Sequence, residues 1–136
     1  MPDSILNTTK KALNLDADYT EFDPEIIMYI NGVFATLTQI GIGPELGFSI
    51  EDADAKWSTF LEGNNLYNGV KNYMYLKVRM LFDPPTTSYH ITAMEKQIEE
   101  LEVRLSITRE ETHWTNPNPI PIASEGDVVI LDGGSA

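Results

Sequence analysis

The residues that could do chemistry in this chain are few and poorly grouped. There are two histidines, His90 and His113, and no cysteine among the 136 residues. Without cysteine there is no disulfide framework and no thiolate metal site. A serine or threonine nucleophile would need an activating base, and no G-x-S-x-G turn is present. Gly41-Ile42-Gly43-Pro44-Glu45-Leu46-Gly47 has the look of a phosphate loop but follows a helical pattern instead of a strand, which removes its warrant. The acidic run Glu51-Asp52-Ala53-Asp54 lacks the alternating ligands, central glycine and terminal glutamate of a calcium loop. It reads as a charged helix N-terminus, where the macrodipole favours acid. The histidines read as solvated or capping residues at opposite ends of one long helix, His113 near the C-terminus where a positive imidazole is favoured. No catalytic set, cofactor site or metal site is expected.

The elements that carry these residues are helical. Asp3 to Leu13 reads as a short helix capped by Asp3 or Ser4, and Asn14 to Phe22 as a loop. Asp23-Pro24-Glu25 opens the next helix, with Asp23 as the cap and proline at a position that needs no donor. Ile26, Ile27, Ile30, Val33, Phe34, Leu37 and Ile40 follow at three- and four-residue steps, a wide apolar face. Gly41 and Gly43-Pro44 stop it. In residues 41–52 the alternation of Leu46, Phe48 and Ile50 suggests a short extended piece laid on the core. Asp54 to Leu61 reads as a helix around Trp57 and Phe60, and Leu66 to Phe82 as another, broken by Asp83-Pro84-Pro85. Trp57, Phe60, Tyr73 and Tyr75 read as core.

Thr87 or Ser88 then caps a helix running to about Glu110, roughly 35 Å long at the helical rise. Ile91, Met94, Ile98, Leu101 and Leu105 form a heptad seam along it. The seam has two equally good readings, packing on its own domain or on another chain.

After residue 111 the composition changes. Pro117, Pro119 and Pro121 alternate through Thr115–Pro121 and favour an extended, polyproline-like path. Asp127-Val128-Val129-Ile130-Leu131 is strand-like, and Asp132–Ala136 a flexible end. One strand cannot satisfy its own backbone groups, and no second strand is in evidence, so Asp127–Leu131 either adds to a sheet in another chain, the expectation taken here, or belongs to a disordered tail. Trp114, where the chain leaves the helical body, is a candidate anchor. The expected partner-binding residues are thus Trp114, Pro117, Pro119, Ile120, Pro121, Ile122, Val128, Val129, Ile130 and Leu131. Four acidic residues and no Lys or Arg lie between Glu111 and Ala136, which suits a basic groove on the partner.

The fold expected is mostly α: a bundle of about four to five helices (1–111) with an extended C-terminal arm (112–136) ending in a short β-strand. The chain carries 9 Lys+Arg against 21 Asp+Glu, a formal net charge of −12. That sign opposes free, sequence-independent nucleic-acid binding, which draws its affinity from neutralising phosphates. The acidity serves solubility, or makes a wall past which DNA moves without sticking. No signal peptide and no membrane-spanning stretch is visible, so a soluble chain made in the cytoplasm is expected.

The order of these elements resembles a known family. The residues that carry the resemblance are Asp23-Pro24-Glu25-Ile26-Ile27, Gly41-Ile42-Gly43-Pro44, the Trp57 helix, Val70–Arg79 and Ile98–Leu105. The most specific segment is Leu81-Phe82-Asp83-Pro84-Pro85-Thr86-Thr87-Ser88. Over about residues 3–110 the chain resembles the head–tail connector (adaptor) proteins of long-tailed phages, particularly siphophages of actinobacteria. The resemblance implies a structural, non-enzymatic subunit of a homo-oligomeric ring, commonly a dodecamer, placed in the virion beneath the portal protein after assembly in the host cytoplasm. It implies contacts with identical subunits, the portal and the next neck or tail-completion protein, with DNA passing through the channel. The other reading of the residues is a small acidic helical partner-binding or assembly-chaperone protein.

Overall fold

The computed structural model describes residues 3–64 and 69–112. Within them the chain forms five helices: α1 (Ile5–Ala12), α2 (Asp23–Ile40), α3 (Trp57–Leu61), α4 (Gly69–Phe82) and α5 (Ser88–Thr112). Among the described residues there is no strand; the one β-like pairing is an isolated antiparallel bridge between Ser4 and Lys56. The mostly helical expectation holds. The C-terminal arm, with its expected strand, lies outside the described residues.

α4 is the centre of the packing. It lies against α2 and α5, and more lightly against α1. Its Val70, Tyr73, Met74, Leu76 and Val78 are buried, facing Ile26, Ile30, Val33, Phe34 and Leu37 of α2 and Ile98 and Leu105 of α5 in one continuous core. The seam of α5 is therefore used inside its own domain. Ile98 and Leu105 are buried, and Met94 and Leu101 pack half-buried against the core. Gly69, at the start of α4, lies against α5: a Cβ there would sit in ordinary contact with the methyl groups of Leu101 and Leu105, at 3.9 and 4.0 Å.

An aromatic cluster closes the other end of the core. The Phe34 ring lies 5.0 Å from that of Phe48 and 4.8 Å from that of Phe60, with Trp57 at 6.1 Å. Edge and tilted approaches of this kind add to the burial itself. Ile50 is buried and Phe48 partly so, as the alternation suggests, but Leu46 is 84% exposed. The segment is tied down without a strand. The Asn31 side chain donates to the Ile50 carbonyl (3.0 Å) and accepts from its N–H (2.8 Å), taking the place of a neighbouring backbone.

Two helix starts differ from the sequence expectation. α3 begins at Trp57 rather than Asp54 because its cap comes from far away in the chain. Asp3 accepts from the Ser58 hydroxyl (2.6 Å) and its N–H (3.3 Å), and the Asp3 carbonyl accepts from Trp57 N–H. The run Glu51–Asp54 consequently lies in the loop before α3, where Asp52 accepts from the N–H of Asp54. It does not form a helix N-terminus. α1, by contrast, begins as read, with Ser4 accepting from Asn7 N–H.

Asp23 does not cap α2. Its carboxylate lies 2.8 Å from the ammonium of Lys10, whose side chain is 1% exposed. The contact is ionic and not a directed hydrogen bond, since Asp23 Oδ1 has no partner in hydrogen-bonding geometry. The ammonium donates instead to the Ala17 carbonyl at 3.0 Å. A buried cation needs both charge and hydrogen-bond compensation. Lys10 thus pins the α1–α2 loop to the body.

Candidate interaction surface

The groups with potential for chemistry are dispersed. His90 sits in the first turn of α5, where Thr87 Oγ1 accepts from its backbone N–H (3.2 Å) and lies 2.8 Å from Nδ1. Its ring meets Tyr89 edge-on at 5.5 Å. Thr87 is thus the cap and His90 an exposed residue beside it, the solvated of its two expected roles; His113 lies outside the described residues. Among the described residues no group of three or more His, Asp or Glu side chains is arranged to hold a metal ion. Nor is any helix among them long and apolar enough to cross a membrane.

The most perturbed ionisable group is structural. Burial raises the Tyr73 hydroxyl well above its ordinary value, and the hydrogen bond it donates to Glu102 (2.7 Å) raises it further. This bond joins α4 to α5 at the edge of the core. Asp3 is held below the usual carboxylate range, chiefly by the Ser58 hydroxyl. Both shifts arise where one element is fastened to another.

The body presents several large apolar side chains outward, Met28, Leu46, Leu81 and Tyr89 among them, and in two places such side chains are grouped. The first is at the end formed by the α1–α2 loop and the end of α4. Tyr19 meets Phe22 edge-on at 5.8 Å, and Phe22 meets Phe82 edge-on at 5.2 Å. Tyr19 is 46% and Phe22 37% exposed, although a phenyl ring gains by leaving water. The neighbouring positions Asp16, Asp18, Glu21 and Asp83 are exposed acids. The second place is the outer face of α5, where Val103 and Ile107, one turn apart, are 57% and 48% exposed. Shallow depressions on either side are lined by Glu99, Glu100, Arg104 and Glu110.

All ten partner-binding residues expected from the sequence, from Trp114 to Leu131, lie outside the described residues. The structure instead brings forward Tyr19, Phe22 and Phe82. Their signal in the sequence was weak but present. Tyr19 and Phe22 are the only aromatic residues between Leu13 and Asp23, and the rest of that loop is largely polar and acidic.

A single helical body of this kind, with its seams spent on its own core and aromatic groups left at one end, belongs to the class of structural and binding modules. A family model described as phage connector protein matches residues 5–112, nearly the whole helical body. The chain belongs to that phage connector family, a structural and not an enzymatic one, as the order of helices and the Leu81–Ser88 segment implied. No curated protein and no solved structure matches the chain.

Proposed function

We propose that this protein is a ring-forming subunit of the phage neck, placed at the head–tail junction below the portal, where it extends the DNA channel and joins head to tail. The observation that carries the reading is the family match across the whole helical body. The dodecameric ring, the portal above and a tail-completion protein below are the finer parts of this proposal. In it, residues 1–111 form the body of the ring. The arm (112–136) makes the contacts between chains through Trp114, the proline segment Pro117–Ile122 and the strand-like Val128–Leu131.

The packing supports this division of labour. The α5 seam is occupied within the chain, so it is not available to join subunits, and assembly falls to the surfaces and the arm. A net charge of −12 suits a wall that DNA slides past, because a surface of that sign gives phosphates nothing to bind. Assembly would take place in the host cytoplasm, with the protein ending in the virion.

The test is direct. Purified particles should contain about a dozen copies at the neck, the number a ring on a twelve-fold portal requires. Mixing with portal should give discrete rings seen by electron microscopy. A chain lacking Thr115–Ala136 should keep its helical circular dichroism and lose docking. A protein abundant in infected cells but absent from finished particles would overturn the reading in favour of an assembly factor.

A further inference from the structure

We propose that the furrow between α1 and α4 receives the outer face of α5 from a second copy of this chain, head to tail. The inference deepens the ring reading above and rests on it.

The charges of the body are segregated. α1 and α4 hold five of the chain's nine Lys and Arg residues (Lys10, Lys11, Lys71, Lys77 and Arg79) and no acid. α5 holds six glutamates against three bases. Lys10 is neutralised by Asp23, and Lys77 lies over the Tyr73 ring at 5.9 Å. That leaves Lys11, Lys71 and Arg79, and no described carboxylate lies within ion-pair distance of any of them. Lys71 feels the charge of Asp3, but that carboxylate is already held by Ser58. On α5, Glu99 and Glu110 are exposed and equally without a described ion-pair partner. One face of the chain thus complements another face of the same chain, which selects a second copy as the occupant.

Shape agrees with charge. A cavity of about 250 Å³ opens between the two helices, with Thr8 and Ala12 on one wall and Lys71 and Tyr75 on the other; the buried Trp57 also lines it. Its methyl groups and rings suit aliphatic side chains, with acids around them for Lys71 and Arg79. The outer face of α5 offers that pattern: Val103 and Ile107, 57% and 48% exposed, with Glu99 and Glu110 beside them. Lys71 and Arg79 stand about 12 Å apart along α4, and Glu99 and Glu110 about 17 Å apart along α5. Long side chains take up that difference.

The two surfaces cannot meet within one molecule. Gly69 and Tyr73 of α4 face α5. Lys71 and Tyr75 each follow two residues later, about 200° round the helix. The furrow therefore lies across α4 from α5. Val103 and Ile107 stand about 200° from the buried Leu105, so they point away from α4. Unlike surfaces that join between copies make a heterologous contact, which generates a ring when its rotation closes.

Two full-length variants test this, each checked for unchanged helical circular dichroism. One carries Lys71→Glu and Arg79→Glu, the other Glu99→Lys and Glu110→Lys. Mixed with portal, each alone should give about tenfold fewer rings, since attractive pairs become repulsive. Combining the two should restore the yield. The reversed furrow of one variant takes the reversed α5 of the other, and their two unaltered surfaces meet in turn. Such a ring alternates the variants, as an even number of subunits allows, and two poorly folded chains could not produce it. Should a double reversal lower helix content, Lys71→Glu and Glu99→Lys alone repeat the exchange. Failure of the mixture to recover would overturn the proposal. So would recovery of the furrow variant by Glu125→Lys and Asp127→Lys instead, which puts the arm in the furrow. Normal rings from each variant alone would also overturn it and leave the neck reading intact. If the unaltered chain forms no ring under any condition, the neck reading fails and this inference fails with it.

Discussion

α2 and α5 are the two longest helices and both pack on α4, yet they are held in different ways. α2 is enclosed: Ile26, Ile30, Val33, Phe34 and Leu37 are all at most 2% exposed, and Phe34 is ringed by Phe48, Phe60 and Trp57. α5 touches the body along one seam, with Ile98 and Leu105 fully in the core and its outer face in water. A helix buried on a wide face is part of the architecture. A helix attached by a narrow seam is a platform that can carry surface to a partner. The comparison predicts that α2 fails only with the whole protein, whereas α5 can open by itself.

The largest break should come from Phe34→Ala, which removes the ring at the middle of the aromatic cluster. We expect a loss of about 4 kcal/mol in urea unfolding, enough to abolish much of the folded state. Leu105→Ala should cost about 3 kcal/mol. Its effect should fall unevenly, with amide exchange rising most in α5 and least in α2. If α2 amides speed up equally, the two helices are one cooperative unit and the distinction fails.

Asp23→Ala tests the start of α2. It leaves the Lys10 ammonium buried beside only the Ala17 carbonyl and should cost about 2 kcal/mol, less than a fully enclosed pair because the Asp23 side chain is 22% exposed. Lys10→Met in the same background should recover most of that loss, since the methionine fills similar space without a charge.

Tyr73→Phe cuts the bond to Glu102 between α4 and α5, at a cost of about 1 kcal/mol near neutral pH. The pH dependence has a definite sign. The Tyr73 hydroxyl is raised in the folded state, so its stabilising contribution is intact below the ordinary tyrosine value of about 10. It is lost progressively as the pH climbs from there towards the folded-state value. The Phe variant should show a shallower alkaline decline in melting temperature. The smallest effect belongs to Arg104→Ala on the outer face of α5. Its contact with Glu100 spans 4.0 Å between two exposed side chains, so the change should stay within about 0.5 kcal/mol.

Much of the fold was legible beforehand because the signals were local. Ser4 caps α1, Pro24 opens α2, Gly41 takes the left-handed conformation (φ 97°) that ends it, and Pro84-Pro85 separates α4 from α5. Where the reading failed, the cause was a partner distant in sequence. Asp54 could not be seen to lie outside α3, because the cap of that helix is Asp3, 55 residues before Ser58. Asp23 has a cap's place before a proline, but the buried Lys10 claims it. The candidate surface divides along the same line. The arm was conspicuous from its prolines, whereas Tyr19 and Phe22 passed as ordinary loop residues until the fold set Phe82 beside them.

By itself, then, the sequence determined where helices start and stop and which of their faces are apolar, since caps, prolines and three-to-four spacing act within a turn or two of the chain. Only the tertiary structure decided that the α5 seam is spent on α4, that Lys10 is buried against Asp23, and that the partly buried Phe82 ring meets the exposed pair Tyr19 and Phe22. Those outcomes depend on which surfaces meet, and that is settled by the competition among all apolar faces for one core, which no local pattern encodes.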